Sequence, residues 1–325
     1  MKNERPLLIV TSCTRNYGWV TRAFLAGNTQ WADYIIIVDQ MSTDGTREMC
    51  AEYENVIILN DPDMSYKENV RAKMAFEKGR EIANGRDAIY FALDIDEIMP
   101  ANWQMTRDGQ RILESAPGDM FQIEWANIMH GGKVCALSGW QYKVFHDNGM
   151  AWQETNIQMH TPLLPYASWN IDPIEINDFP LLHLGIYNEY WNRCKQIYYQ
   201  FLDIQQKRSE SIISIYRTYH KKSKNILSTQ KVKQEWLYEN VDIIGLVDVV
   251  SVPIFVQYIK EIIAKEGMDK FRSIDVWTEE LCTNINVQDP RTWWDKMMHT
   301  YLRATNKYQK KFLIRAIDKI LKKIY

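Results

Sequence analysis

Four short apolar runs, separated by stretches of helical length, restrict what this chain can fold into more than any other feature. Leu7 to Thr11, Tyr34 to Val38, Val56 to Leu59 and Ala88 to Leu93 each have the length of a buried strand and its aliphatic or aromatic character. Between them, Asn16 to Trp31, the stretch ending at Tyr53, and Ser65 to Ile82 are suited to return as helices. Strands alternating with helices argue for βαβ units, hence an α/β fold with a mostly parallel sheet flanked by helices. In open sheets of this kind ligands bind beyond the carboxyl ends of the strands, and Thr11, Asp39 and Asp94 fall there.

The fourth run closes on Asp94-Ile95-Asp96-Glu97. If the strand continues through it, residues i and i+2 share a face, and Asp94 and Asp96 aim together beyond the sheet. Two carboxylates held that close repel unless a cation lies between them. Hard oxygen donors at a sheet mouth suit Mg²⁺ or Mn²⁺, which keep coordination positions for substrate oxygens. An isolated Asp-X-Asp is equally consistent with solvated acids capping a strand, so the surrounding pattern has to decide.

Val38-Asp39-Gln40-Met41-Ser42-Thr43-Asp44-Gly45-Thr46, followed about fifty residues later by Phe91-Ala92-Leu93-Asp94-Ile95-Asp96-Glu97, resembles the family 2 glycosyltransferases with the nucleotide-diphospho-sugar (GT-A) fold. The resemblance is clear over residues 7 to 100, weakens to about 190 and then fades. It implies transfer of a sugar from a nucleotide-diphospho-sugar, such as a UDP- or GDP-sugar, to a hydroxyl of a glycan, lipid-linked or surface-polysaccharide acceptor. Single displacement would invert the anomeric carbon, and Mn²⁺ or Mg²⁺ would stabilise the leaving diphosphate. By position, Thr11, Asp39, Arg71 and Asp94 would bind the nucleotide sugar. Asp96 would bind the metal, and His183 resembles a late histidine that approaches the metal or diphosphate. Asp44 precedes a helix and is read as its N-cap.

The acceptor hydroxyl must lose a proton, which calls for a carboxylate or imidazole within hydrogen-bond reach. Relatives often carry a His-Glu pair where this chain has His160-Thr161. Glu154 is therefore the first candidate base, with Asp147 and Glu124 behind it. Trp103, Trp125, Trp140, Trp152 and Trp169 fall in the region expected to line the acceptor side, where indole rings either stack on sugars or fill a core.

At 325 residues the chain suits a catalytic domain over 1–188 and a mainly helical one over 189–325. A net charge of −2 gives no footing for nucleic acid. Five scattered cysteines without a Cys-X-X-Cys pair fit reduced thiols, and no apolar stretch has the length of a membrane span, so a cytoplasmic enzyme is expected. The basic cluster from Arg193 to Lys224 reads as a solvated helical face or as a surface for an anionic acceptor or bilayer. Leu313, Ile317, Ile320 and Ile324 mark an apolar stripe beside Lys310, Lys311, Arg315, Lys319, Lys322 and Lys323. Residues 306–325 are thus suited to peripheral contact with the inner face of a membrane, to docking on the chain itself, or to self-association. Two rival classes remain: a non-catalytic GT-A-like scaffold, and a Mg-dependent phosphohydrolase, whose aspartate motif belongs to a first strand rather than a fourth.

Overall fold

The structure is a computed structural model and describes residues 5–65, 67–153, 163–165, 171–206, 211–220, 229–249 and 253–325. The chain divides into two compact units: Met1–Asn188 with Leu227–Ser251, and Glu189–Ile226 with Val252–Tyr325.

The first unit is built on one sheet. Its opening strands are β1 (Leu7–Thr14), β2 (Tyr34–Asp39), β3 (Val56–Asn60) and β4 (Ala88–Ala92). They alternate with helices α1 (Gly18–Asn28), α2 (Thr46–Ala51) and α3 (Glu68–Ala83). β5 (Glu97–Ile98), α4 (Arg107–Leu113), β6 (Met120–Ile128), β7 (Val134–His146), β8 (Ile174–His183) and β9 (Thr229–Lys231) follow. The spatial order is β3-β2-β1-β4-β7-β6-β8-β5, with β9 paired to β7. The fold is therefore α/β with a GT-A-like arrangement. Its parallel part is β3-β2-β1-β4, and beyond β4 the ladder is mixed, because β6 and β7 form an antiparallel hairpin. The hairpin turns at Gly131 and Gly132, both at positive φ (85° and 70°), where a side chain would be strained.

The apolar runs do what their composition requires. β4 is buried at every position, and its Tyr90 ring packs on Phe76 of α3 at 4.2 Å between centroids. Ile9, Ile36, Val38, Ala75 and Phe145 complete that layer. Each large apolar side chain removed from water here contributes roughly 1.5–3 kcal/mol. α3 stops at Asn84, which takes the left-handed conformation (φ 48°) and donates its backbone N–H to Arg80 O at 3.0 Å.

One element differs from its sequence reading. Gln230 to Asn240 looks helix-compatible, yet residues 229–231 form a strand on β7, with Cys135 opposite Gln230, followed by a 3₁₀ turn over Gln234–Trp236. The edge of β7 supplies backbone partners that local propensity does not anticipate. This segment lies in the first unit.

The second unit is helical: α5 (Glu189–Gln205), α6 (Ile212–Tyr219), α7 (Ile254–Glu266), α8 (Glu279–Ile285), α9 (Trp293–Thr305) and α10 (Phe312–Leu321). Arg217 of α6 belongs to the basic cluster but is buried rather than solvated. Its guanidinium bonds Asp318 Oδ2 of α10 at 2.9 Å, Leu302 O at 3.2 Å and Thr305 Oγ1 at 2.7 Å, tying three helices together. Among the described residues no helix is long and apolar enough to cross a membrane.

Candidate active site at the carboxyl end of the sheet

β1, β2 and β4 end side by side. Thr14 is in register with Asp39 on one flank of β1, and Thr11 with Ala92 on the other. Asp39 and the acids after β4 therefore stand about two strand spacings apart, roughly 10 Å. Thr11 is buried within the ladder, and its carbonyl accepts from Leu93 N at 3.0 Å, fixing the exit of β4.

The acids do not continue the strand. The Glu97 N–H donates to Asp94 O at 2.9 Å, and the Asp94 N–H donates to Glu97 Oε2 at 2.8 Å, closing a reciprocal turn over 94–97. Alternation along a strand consequently fails here, and the two aspartates have different surroundings. Asp94 is half exposed, with Oδ2 3.2 Å from Lys143 Nζ. Asp96 is buried, and its Oδ2 lies 3.7 Å from His183 Nε2.

Two residues that carried no assigned role complete the cluster. Glu97 is fully buried and accepts three donors: Asp94 N, Trp125 Nε1 at 2.6 Å and Lys143 Nζ at 2.6 Å. All three contacts are donors to Glu97 and favour its carboxylate form, while burial, against the pull of Lys143, pushes its pKa up to about 8. Burial also works against the charge on Lys143, but Asp94 and Glu97 more than offset it and hold the ammonium above its ordinary pKa. A lysine between Tyr142 and Val144-Phe145 was the available signal, since an ammonium in a buried strand requires partners.

The imidazole of His183 is held from two sides. Its ring stacks on Trp125 at 4.6 Å between centroids and 13° between planes, and Nδ1 lies 2.7 Å from Asn127 Oδ1. The Asn127 amide is oriented by its Nδ2, which donates to Ala136 O at 3.1 Å and Ser138 Oγ at 2.6 Å. The Asn127 oxygen therefore faces Nδ1, assigning the proton to Nδ1 and the acceptor lone pair to Nε2, on the Asp96 side. Histidines that ligate metals are commonly oriented in this way through the opposite ring nitrogen. Gly185 borders both groups: a Cβ there would stand 2.5 Å from His183 Nε2 and 2.9 Å from Asp96 Oδ2. One carboxylate and one imidazole beside a glycine fit a divalent ion that takes its remaining ligands from phosphate and water. Among the described residues no group of three His, Cys, Asp or Glu side chains converges, so the protein alone offers no closed cage.

Asp39 is almost completely buried. Its Oδ2 accepts from Ser42 N at 2.9 Å and Arg47 Nη1 at 3.1 Å, while Oδ1 has no hydrogen-bond partner among the described residues. An unpaired carboxylate oxygen at a strand end carries a desolvation penalty unless a donor arrives. The following loop is strained at Met41, a non-glycine residue at φ 53°. Asp44 accepts from Thr46 N at 3.2 Å and from Gly18 N at 2.7 Å, linking the starts of α2 and α1.

Arg71 is held by protein partners of its own. It is buried, pairs with Asp61 at 2.8 Å and donates to the carbonyls of Asp63 and Ser65, holding the loop after β3. Glu154, the sequence candidate for base, lies outside the described residues, as do His160 and Trp169. Asp147 is gripped by Arg80 at 2.6 Å. Trp103 is core, packed on Trp31 and Phe91, and Trp152 packs on Phe76. Trp140 is exposed on β7. Burial pushes the Cys13 and Cys50 thiols up, Cys50 to about 12, so neither serves as a thiolate nucleophile.

No family model matches the chain. No curated protein sequence matches it. Among solved structures, the crystal structure of 4-diphosphocytidyl-2C-methyl-D-erythritol synthase is similar to 44% of this chain and 76% of that one, at 12% identity and a TM-score of 0.28.

Proposed function

We propose that this protein is a metal-dependent glycosyltransferase that moves a sugar from a nucleotide-diphospho-sugar to an acceptor hydroxyl. The observation that carries the reading is the approach of Asp96 Oδ2 to His183 Nε2 at 3.7 Å, beside Gly185 and at the carboxyl end of the parallel strands. Asp96 and His183 would hold Mn²⁺ or Mg²⁺, which, when bound, supplies positive charge to the departing diphosphate.

The chain's own residues account for the remaining steps. Asp39 Oδ1 is suited to accept from the base or ribose of a UDP or GDP moiety. Asp94, half exposed and 3.2 Å from Lys143 Nζ, is of a type suited to accept from a ribose hydroxyl. The acceptor oxygen attacks the anomeric carbon, the bond to phosphate breaks, and its electron pair leaves with the diphosphate. The hydroxyl proton passes to a carboxylate, a role the sequence gives to Glu154. One displacement of this kind inverts the anomeric configuration. The acceptor is a glycan or lipid-linked hydroxyl.

Thermal shift against UDP, GDP, CMP and dTDP, each with Mn²⁺ or EDTA, tests the reading. Stabilisation by one diphosphate nucleotide only with metal, abolished in Asp96→Ala while that variant stays folded, is the expected result. A metal response retained by Asp96→Ala, or no response to any nucleotide, overturns it.

A further inference from the structure

α10 is turned so that only one of its sides is used by the fold. Asp318 meets Arg217 and Tyr301, and Leu321 and Tyr325 pack on a cluster of Ile213, Tyr216, Met298 and Leu302. Much of its apolar stripe is uncovered: Leu313 is 67% exposed, Ile320 66% and Ile324, just past the helix end, 64%, with Ile317 part-covered and the adjacent Phe312 86% exposed. Large apolar side chains left in water in this number on one short helix mark a docking surface.

Charge indicates what the surface meets. Every Lys and Arg from 307 to 323 is exposed, and the one acid in that span, Asp318, is neutralised by Arg217. Among the described residues no acid forms an ion pair with these cations, and the patch is cationic. A second copy placed on it would bring the same cations to the seam, whereas an anionic lipid surface receives them together with the apolar side chains. The neighbouring helix adds to this edge. Tyr325 OH lies 3.0 Å from Asp295 Oδ1, which sets the end of the chain beside the first turn of α9, where Trp293 is 76% and Trp294 41% exposed. Indoles at such an edge suit the boundary between headgroups and acyl chains.

We infer that α10, with the first turn of α9, is a peripheral docking surface for an anionic lipid bilayer. Leu313, Ile320 and Ile324 enter the headgroup boundary, while Lys319, Lys322 and Lys323 meet lipid phosphates. This assignment is independent of the reaction at the sheet.

Flotation of the full chain tests it, with vesicles of phosphatidylglycerol and phosphatidylcholine against phosphatidylcholine alone. The wild type is expected to float with the anionic vesicles and at least tenfold less with the neutral ones. Lys319→Gln with Lys322→Gln and Lys323→Gln removes three surface cations and should weaken binding on the order of 100-fold. Leu313→Ser with Ile320→Ser should abolish flotation at an unchanged melting temperature, because both side chains are exposed. The inference fails if the wild type does not float with anionic vesicles, or if binding survives both sets of substitutions. It also fails if the wild type is a dimer that Leu313→Ser with Ile320→Ser makes monomeric while neither form binds lipid.

Discussion

Trp125 lies flat against His183 and at the same time donates its Nε1 hydrogen to Glu97 at 2.6 Å, so one indole fixes both the imidazole and the buried carboxylate. Trp125→Phe keeps a ring face and removes the donor. Loss of such an orienting partner weakens a metal site by about tenfold or more. The Mn²⁺ concentration for half-maximal nucleotide-induced thermal shift should rise by that factor in Trp125→Phe, with little change in the shift at saturating metal.

Gly185→Ala tests the approach of Asp96 to His183 directly. The added methyl would stand within 3 Å of both His183 Nε2 and Asp96 Oδ2, closer than real carbon contacts allow. Overpacking of this sort costs about 1–3 kcal/mol, which a domain of this size tolerates. The variant should fold, melt slightly lower and lose its metal-dependent nucleotide response. An intact response would show that the space between the two donors is not used.

Lys143 makes a different kind of prediction, because its role concerns stability as well as the site. Removing one partner of a buried pair leaves the other charge uncompensated, at a cost of about 3 kcal/mol. Lys143→Met should lower stability by that amount in urea unfolding at neutral pH. Restoring Glu97 to neutrality in Lys143→Met with Glu97→Gln should recover a large part of the loss. A single variant as stable as the wild type would mean that the cluster is not held by charge.

In the second unit, hydrogen bonds from Arg291 hold the Asp289 carboxyl down at about 2, from an ordinary 3.8. A group whose folded pKa is depressed contributes stability that is present above its unfolded pKa and disappears as pH falls towards the folded one. The contribution of Asp289 should therefore vanish between about pH 4 and pH 2. Asp289→Asn should lower the melting temperature at neutral pH and flatten its decline in that window, as read by circular dichroism.

β1, β2 and β4 were legible because burial on both faces forces uninterrupted apolar runs, and β3, a half-buried edge strand, was legible from its own aliphatic run. Asp94, Asp96 and His183 stood out in the sequence, and the structure sets Asp96, after β4, 3.7 Å from His183 at the end of β8. Their geometry was not legible, because the turn over 94–97 is closed by Glu97 bonding back to Asp94, a local choice that a strand pattern hides. Lys143 and Asn127 escaped because they arrive from β6 and β7, across register shifts between Phe121 and Gln122 and between Glu124 and Trp125 that no spacing rule encodes. Arg71 was visible as a basic helix residue, but its partners, Asp61 and two loop carbonyls, come from an irregular segment.

β9 has a consequence for biosynthesis. Val134, Cys135 and Ala136 find their ladder partners in residues 229–231, which leave the ribosome only after α5 and α6 have been made. Until then the nascent sheet carries an open edge, the kind of feature that invites pairing with another chain. A polypeptide cut at residue 188 would keep that edge permanently, because the first compact unit takes residues 227–251 from beyond that point.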